Sequence, residues 1–510
     1  MRVLPAAFAA YEWAPSTAEL ARRTGLDPIE IVRFDANVPP QPPPSARPGT
    51  IASKLADLSS YPHGGYPELV HAIAAYAGVA AENVVLAAGA DDLILLTARA
   101  FAGPGERVAV ADDPTYPLYR IAAWLAGAEI GDDEPALTYC CRPNNPTGAV
   151  DELPPSRPLV VDEAYAEYAG ESAVPLIERE DVVVLRTFSK AFGLAGARVG
   201  YALARAELAA ELRARQNPAP ISTLSAALAL AALSEPPDVT PVVEERERLA
   251  RAVRALGLRT LPSHASFLFV PHDDPHGLAE TLLRSGIVVR AFEYGIRFSV
   301  RDETDDDLLL EALARALDRP VPVAPAGGRR ARHLRATAET RLRVRLALDG
   351  AGRVHVVTGA GLYDHLLEQL AFHAGFDLVL EGVGDLETGP HHTAEDAALA
   401  LGEALDRALG DRRGISRYGD ARVPMDDALA EATVDLGGRA WARVDLERDP
   451  GLAVHVLGSL ASAGRLAIHV RASGRDEHHV AEAAFKAVGR ALRAATRLDR
   501  TGSSSTKGIT

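Results

Sequence analysis

The sequence is short of cysteine, of lysine and of long apolar runs. Its 510 residues include two cysteines, the neighbours Cys140 and Cys141. Two adjacent thiols cannot staple a framework of loops, so a disulfide scaffold is excluded and a reducing, cytoplasmic setting is expected. Positive charge is not in surplus either: 54 basic residues face 69 acidic ones, for a net charge of −15. With no basic excess to neutralise phosphates, nucleic acid and anionic membrane surfaces are excluded as partners. The best candidate for a membrane span, Ile221 to Leu233, is short, alanine-rich and flanked by prolines, and reads as a packed helix. Residues 1–10 carry Pro5 and no apolar core, so no secretory signal is expected there. Lysine occurs only at positions 54, 190, 486 and 507. A GC-rich coding bias accounts for most of that scarcity. A lysine that survives it tends to stand where a primary amine is needed, because an amine can lose its proton and form a Schiff base while a guanidinium cannot.

What is present is globular, with 47% hydrophobic and 24% charged residues, and the length allows more than one core. Residues 321–330, VPVAPAGGRR, lack hydrophobic periodicity and read as a linker. They separate a first domain, residues 1–320, from a second, residues 331–510. Residues 331–510 hold 23 basic and 25 acidic groups (−2), which leaves −13 before them, and ten of the fifteen histidines follow the linker. Two different chemistries are expected. The first domain alternates helices with short strands apolar on both faces: 84–86, 108–110, 159–161, 182–185 and 199–203, the pattern of a covered parallel sheet. The second domain opens on alternating strands at 341–348 and 354–358 and reads strand, strand, helix, strand, strand, helix.

In the first domain Lys190 follows the apolar run VVVLRT and precedes a glycine-rich turn. Gly89-Ala90-Asp91 precedes a helical run, so backbone amides can hold a phosphate there. The turn RPNNPTG presents an amide, and VVDEAY ends a buried strand with a carboxylate and sets a phenol three residues on. Together with YPHGGYPEL, AAGADDLI, DDPTYPLY, RTFSKAFGLAGARVGY and IRFSV, in this order, these segments resemble the fold-type I pyridoxal-phosphate aminotransferases, and most of all the histidinol-phosphate aminotransferases. The resemblance implies that Lys190 forms a Schiff base with pyridoxal 5′-phosphate and moves the substrate proton. Asp162 would keep the pyridine nitrogen protonated, Asn145 and Tyr165 would bond the ring hydroxyl, and Tyr116 would stack on the ring. Ala90, Asp91, Ser189 and Arg198 would hold the cofactor phosphate, with Tyr61 of the partner subunit reaching in. Arg290 and Arg297 would bind the substrate's own phosphate. The chain departs from the family in the short stretch between Tyr119 and Asp162 and in FDANVPPQPPP, which keeps only Asn37 of the usual N-terminal signature. Threonine-phosphate decarboxylases share much of this pattern, so this domain alone leaves its reaction open.

The second domain contains one pattern twice: His391-His392-Thr-Ala-Glu395 and His478-His479-Val-Ala-Glu482. Over 391–405 against 478–492 nine of fifteen positions are identical, Gly402 with Gly489 among them, and His365 and His455 stand 26 and 23 residues upstream. This is an internal duplication. On a helix such a unit can give imidazole and carboxylate ligands to one metal. Without thiolate the set favours an octahedral ion, Mn²⁺ before Fe²⁺ or Zn²⁺, with two ions per chain. The terminal GSSSTKG lacks the spacing of a phosphate-binding P-loop. RATAET, LDGAG, TGAGLYDHLLEQLAFH, HHTAED, LGDRRGISRYG, PMDDAL, DLGGRA, HHVAEAAFKAVGRAL and STKG resemble imidazoleglycerol-phosphate dehydratase. That resemblance makes His365, His391, His392, Glu395, His455, His478, His479 and Glu482 the manganese ligands. It gives the substrate phosphate to Arg417, Arg439, Ser505 and Lys507. Glu339 would contact the substrate near the reacting carbons, and Glu482 and Glu339 are the candidates for moving the C2 proton. Gly389 and Pro390 stand where the family usually has aspartates, which is expected to alter the support of the first histidine pair.

The expected fold is therefore α/β: a pyridoxal-phosphate fold-type I domain with a mainly parallel sheet, then an α+β domain built from an internal βα repeat. The two resemblances together imply consecutive steps of histidine biosynthesis, with phosphorylated imidazole compounds and glutamate as small-molecule partners. Alternatives at this point are an active dehydratase fused to a threonine-phosphate decarboxylase or an aromatic aminotransferase, and a non-catalytic metal-binding domain that assembles an aminotransferase. The implied assembly is a homo-oligomer, since the first family works as a dimer and the second as trimers that build a 24-subunit shell.

Overall fold

The structure, a computed structural model, describes residues 5–498 except 6–7, 9, 12, 41–42, 44, 47, 53, 63, 180, 322–328 and 351. Most of the expected linker, together with Ser505 and Lys507, lies outside the described residues. The chain divides into two compact units, Met1–Leu26 with Ile31–Pro322, and Asp27–Glu30 with Val323–Thr510. Among the described residues no helix is long and apolar enough to cross a membrane. Both cysteines are free and buried.

The first unit is built on a seven-stranded sheet. In chain order its strands are β1 (Val84–Ala87), β2 (Arg107–Val110), β3 (Glu129–Ile130), β4 (Leu137–Cys141), β5 (Leu159–Asp162), β6 (Val182–Thr187) and β7 (Gly200–Leu203). They lie side by side as β1-β7-β6-β5-β4-β2-β3, with only β7 antiparallel to its neighbours. β1, β4, β5 and β7 are buried at every residue, as strands covered on both faces must be. Helix α1 (Ala90–Phe101) leaves the end of β1 and α2 (Leu118–Ala126) follows β2. A second, antiparallel sheet orders β9 (Arg290–Phe292), β10 (Gly295–Ser299) and β8 (Phe267–Pro271). The expected strands are found within a residue or two; β3, β4 and this second sheet are additions to them.

The second unit corrects the expected element order. Each repeat has three strands, a helix, one strand and a second helix. The first comprises β11 (Arg330–Ala336), β12 (Thr340–Ala347), β13 (Val354–Val357), α3 (Gly361–Ala374), β14 (Asp377–Gly384) and α4 (His391–Leu409). The second comprises β15 (Tyr418–Met425), β16 (Ala428–Asp435), β17 (Trp441–Leu446), α5 (Ala453–Ala463), β18 (Ala467–Ser473) and α6 (Glu477–Thr496). The sheets have the same order, β11-β12-β14-β13 and β15-β16-β18-β17, with only the last pair parallel in each. The pattern was hidden because the outermost strand β17 is exposed along much of its length, which blurs the alternation that marks a half-buried strand.

The helices pair across the repeats, α3 on α6 and α4 on α5. The two repeated glycines explain how closely. A methyl at Gly489 would lie 2.3 Å from the Leu370 carbonyl oxygen on α3, and one at Gly402 would lie 2.8 Å from the Leu460 carbonyl on α5. Only hydrogen fits at either crossing. Alanines and leucines of all four helices fill one continuous core with the inner faces of both sheets.

Candidate active sites

The first site forms where β5 and β6 end and the antiparallel β7 begins. Lys190, half-buried, donates from Nζ to the Ala36 carbonyl at 3.2 Å, with the amine 5.5 Å from the Tyr165 ring centre. Burial, and then the Arg297 guanidinium, pulls its amine down from the usual lysine range to about 8. Asp162 closes β5 almost fully buried. It accepts from the Tyr119 hydroxyl at 2.7 Å and the Ala164 N–H at 3.1 Å. Burial raises its carboxyl to about 6, against the two hydrogen bonds that lower it. An ionised carboxylate here, with no cation bonded to it among the described residues, fits a protonated ring nitrogen as partner.

A phosphate cradle lies at the start of α1. Gly89 precedes the helix with φ +89°, and a methyl there would meet Arg198 Nη2 at 2.7 Å. Arg198 reaches Asp91 at 3.0 Å and Ser189 at 3.4 Å, and Tyr116 donates to the other Asp91 oxygen at 3.0 Å. Helix amides, a guanidinium and a serine hydroxyl converging on a position without a side chain fit a phosphate dianion. Ala90, Asp91, Tyr116, Ser189 and Arg198 are thus brought together. Tyr61 is 86% exposed and touches none of them in the single chain.

The NNPTG turn splits its two amides. Asn144 is buried and braces the turn, accepting from Thr115 at 2.6 Å and donating to Pro114 and Thr147 at 3.0 Å. Asn145 turns its oxygen to Arg297 Nη1. Arg297 is buried between Phe267 and Phe292 and also donates to the Asp35 carbonyl at 2.7 Å. Arg290 lies opposite it across the β9–β10 pair but is exposed. Two site residues went unforeseen. Tyr119 was seen only as the edge of a shortened segment. Asn37, the sole survivor of its signature, is buried and donates to the Tyr165 hydroxyl at 3.1 Å.

In the second unit the helix pairs assemble two clusters, each from both repeats. His365 of α3 meets His478 and Glu482 of α6, and His391 and Glu395 of α4 meet His455 of α5, with the ligand atoms of each trio within 4.8 Å of one another. His365 and His478 stack 5.7 Å apart, and His391 and His455 lie 4.8 Å apart. Three convergent imidazole and carboxylate donors, made twice, fit a divalent ion. The two clusters differ in one respect. Glu482 is buried and accepts from Lys486 at 2.8 Å. Burial would raise its carboxyl, but Lys486, with His365 and His478, holds it below the ordinary range. Glu395, at 36% exposure, has Leu399 where Glu482 has Lys486.

His392 and His479 are not drawn into these trios. Each turns Nδ1 to a carboxylate: His392 to Asp385 at 3.0 Å, with Glu339 at 3.7 Å, and His479 to Asp427 at 2.6 Å. Such a contact fixes the ring, and Nε2 of His479 lies 3.6 Å from the Asp426 carboxylate. Arg417 forms a two-pronged pair with Asp435 at 2.7 and 3.1 Å, and Arg439 is exposed.

Known proteins match both halves. Residues 358–492 fit the family pattern of imidazoleglycerol-phosphate dehydratase, and residues 29–132 and 131–314, together more than half of the chain, fit that of aminotransferase class I and II. An imidazoleglycerol-phosphate dehydratase of Salinispora arenicola is 50% identical over 190 residues, 34% of this chain and 92% of that protein. The histidinol-phosphate aminotransferase of Sinorhizobium meliloti, solved with pyridoxal 5′-phosphate, is 26% identical with a TM-score of 0.54, covering 61% of this chain and 99% of that one. An L-threonine-O-3-phosphate decarboxylase of Porphyromonas gingivalis shares the fold at 20% identity and a TM-score of 0.51, covering 57% of this chain and 100% of that one. The chain thus belongs to two families, the class I and II aminotransferases through its first unit and the imidazoleglycerol-phosphate dehydratases through its second.

Proposed function

We propose that this chain performs two consecutive steps of histidine biosynthesis: dehydration of imidazoleglycerol phosphate to imidazole-acetol phosphate, and transamination of that product with glutamate to L-histidinol phosphate. One observation carries the reading. A dehydratase half, 50% identical to a named dehydratase, shares its chain with an aminotransferase half whose 26% identical neighbour is a histidinol-phosphate aminotransferase. The product of the first reaction is the substrate of the second, and the tether raises the local concentration of one half near the other.

In the aminotransferase half, Lys190, Asp162, Asn145, Tyr165, Tyr116 and the Gly89–Asp91, Ser189 and Arg198 cradle would hold pyridoxal 5′-phosphate. Bound there, the cofactor supplies an electron sink that acidifies the substrate's Cα–H. Lys190, with its amine drawn to about 8, has a sizeable free-base fraction near neutral pH and can take and return that proton. Tyr119 supports the charged form of Asp162 from below. Arg297, braced by Asn145 and the Asp35 carbonyl, with Arg290 beside it, would receive the anionic end of the substrate.

In the dehydratase half the two trios would hold Mn²⁺, with His392 and His479 completing sites of neighbouring copies. Metal ions there would act as Lewis acids on the imidazole ring nitrogens. Glu339, 51% exposed beside His392, is placed to move the C2 proton, with Glu482 as the second candidate. Arg417, Arg439, Ser505 and Lys507 would take the phosphate. A homo-oligomer working in the cytoplasm belongs to the same reading: the exposed Tyr61 would meet the cofactor of a second copy. The test is a Lys190→Ala variant given imidazoleglycerol phosphate, glutamate and Mn²⁺. Imidazole-acetol phosphate should accumulate; continued formation of histidinol phosphate would refute the assignment of the first half.

A further inference from the structure

The duplication allows the two halves of the dehydratase unit to be compared position by position. In the first repeat, strands β11 and β12 pair Ala336 with Arg341 and close through a Thr337 N–H to Thr340 carbonyl bond, which leaves Ala338 and Glu339 at the hairpin tip. In the second, β15 and β16 pair Met425 with Ala428, which leaves Asp426 and Asp427 at the tip. Glu339 and Asp427 therefore occupy the same position. Their surroundings do not match.

Asp427 is fully committed. One oxygen takes His479 Nδ1 at 2.6 Å, and the other accepts the N–H groups of Arg475 and Asp476 at 2.6 and 3.1 Å. In the first repeat the segment between strand and helix is longer: residues 385–390 stand where the second has 474–476 before Glu477 opens its helix. The added length forms a short turn, Leu386–Thr388, and brings in a carboxylate of its own, Asp385. Asp385 takes His392 Nδ1 at 3.0 Å and is braced by the Thr388 hydroxyl at 3.0 Å. The Glu339 carboxylate is left 3.7 Å from the same nitrogen and 51% exposed. The backbone registers the exchange as well, because the Asp385 N–H bonds the Glu339 carbonyl at 3.1 Å.

From this we infer that Asp385 is a positioning residue that has taken over the orientation of His392, and so releases the hairpin carboxylate Glu339 for the reaction. In the second repeat the hairpin carboxylate itself holds the ring, and Asp427 is a positioning residue for His479. Two metal clusters per chain are thus served by one reactive hairpin carboxylate. The inference rests on the proposed role of Glu339 in moving the substrate proton.

The test uses the full chain with three variants, Asp385→Ala, Glu339→Gln and the double variant, each measured for Mn²⁺ binding by the free-ion EPR signal and for dehydration kcat and KM. In Asp385→Ala the neighbouring Glu339 should close on His392 Nδ1. Mn²⁺ affinity then changes by less than about threefold, while kcat falls about 10–100-fold with KM little altered. In the double variant no carboxylate remains for His392, and one class of Mn²⁺ sites weakens about 10–100-fold. Asp385→Ala weakening Mn²⁺ as much as the double variant, or keeping wild-type kcat, would overturn the inference. Glu339→Gln with undiminished kcat would overturn the role of Glu339 instead, and the Mn²⁺ titrations would still decide whether the two carboxylates exchange. Asp385→Asn, which keeps the bond from Thr388, serves as the second variant should the alanine protein fail to fold.

Discussion

Gly489→Ala is the sharpest perturbation of the dehydratase half, because the helix crossing leaves no room for a methyl. The new carbon would lie 2.3 Å from the Leu370 carbonyl oxygen, whereas ordinary contact begins at 3.4 Å. The obstacle is backbone and cannot rotate away, so α3 must retreat by about 1 Å. His365 rides on α3 and faces His478 and Glu482 on α6. Ligand positions in a metal site tolerate only about 0.2 Å, so that cluster should lose its tight binding. Gly402→Ala meets Leu460 and its neighbours at 2.8 Å and asks for a retreat of only about 0.6 Å from α5, which carries His455. Overpacking costs about 1–3 kcal/mol, but alanine returns about 1 kcal/mol of helix propensity. Global stability should therefore move little, and metal binding is the better readout. Mn²⁺ titration monitored by EPR should find one tight class of sites lost in Gly489→Ala and the other weakened less in Gly402→Ala. Two undisturbed classes in Gly489→Ala, or greater damage in Gly402→Ala, would refute this packing argument.

Three further outcomes follow. In the cofactor-free protein Lys190 should react with an aldehyde reagent at a rate that rises through pH 8 rather than above 10, because only the neutral amine attacks and its pKa is lowered to about 8; spectrophotometric trapping across pH 6–11 measures it. Tyr119→Phe removes a bond that favours the charged form of Asp162, so that carboxyl should rise above its present value of about 6. The acid limb of transamination then moves to higher pH and cofactor is lost faster, both absent if Tyr119 only fills space. Asp396→Ala strips a buried carboxylate from Arg335, Thr337 and Thr340, which hold the hairpin carrying Glu339. Thermal denaturation should show a loss of about 1–3 kcal/mol, with dehydration kcat reduced more than KM.

Much of this was legible in the sequence because chemistry requires particular residues at particular strand and helix ends. Lys190, Asp162 and the glycine before α1 stand at such ends, and the repeated His-His-x-Ala-Glu pattern shows through its own duplication. The scarcity of lysine drew notice to Lys190, which the structure sets beside Asp162 and Tyr165 at the ends of β5 and β6. What escaped depends on three-dimensional pairing. That each cluster draws one ligand helix from each repeat follows from crossings at Gly402 and Gly489, and no spacing along the chain encodes a crossing. Tyr119 gave no signal, since a buried tyrosine on an apolar helix face reads as core until its hydroxyl is seen on Asp162. Asp385 was overlooked for a different reason. The residues next to the histidine pair are Gly389 and Pro390, which carry no carboxylate, while the one that supports His392 stands six residues before the pair, directly after the preceding strand.

The central claim is that one chain carries both reactions, and a single incubation tests it most directly. The purified full-length protein receives imidazoleglycerol phosphate, glutamate, pyridoxal 5′-phosphate and Mn²⁺, with no other enzyme, and ³¹P NMR follows the phosphate esters while 2-oxoglutarate is assayed. The account predicts L-histidinol phosphate and 2-oxoglutarate in equal amounts. Arrest at imidazole-acetol phosphate without 2-oxoglutarate, or no consumption of imidazoleglycerol phosphate at all, would contradict it.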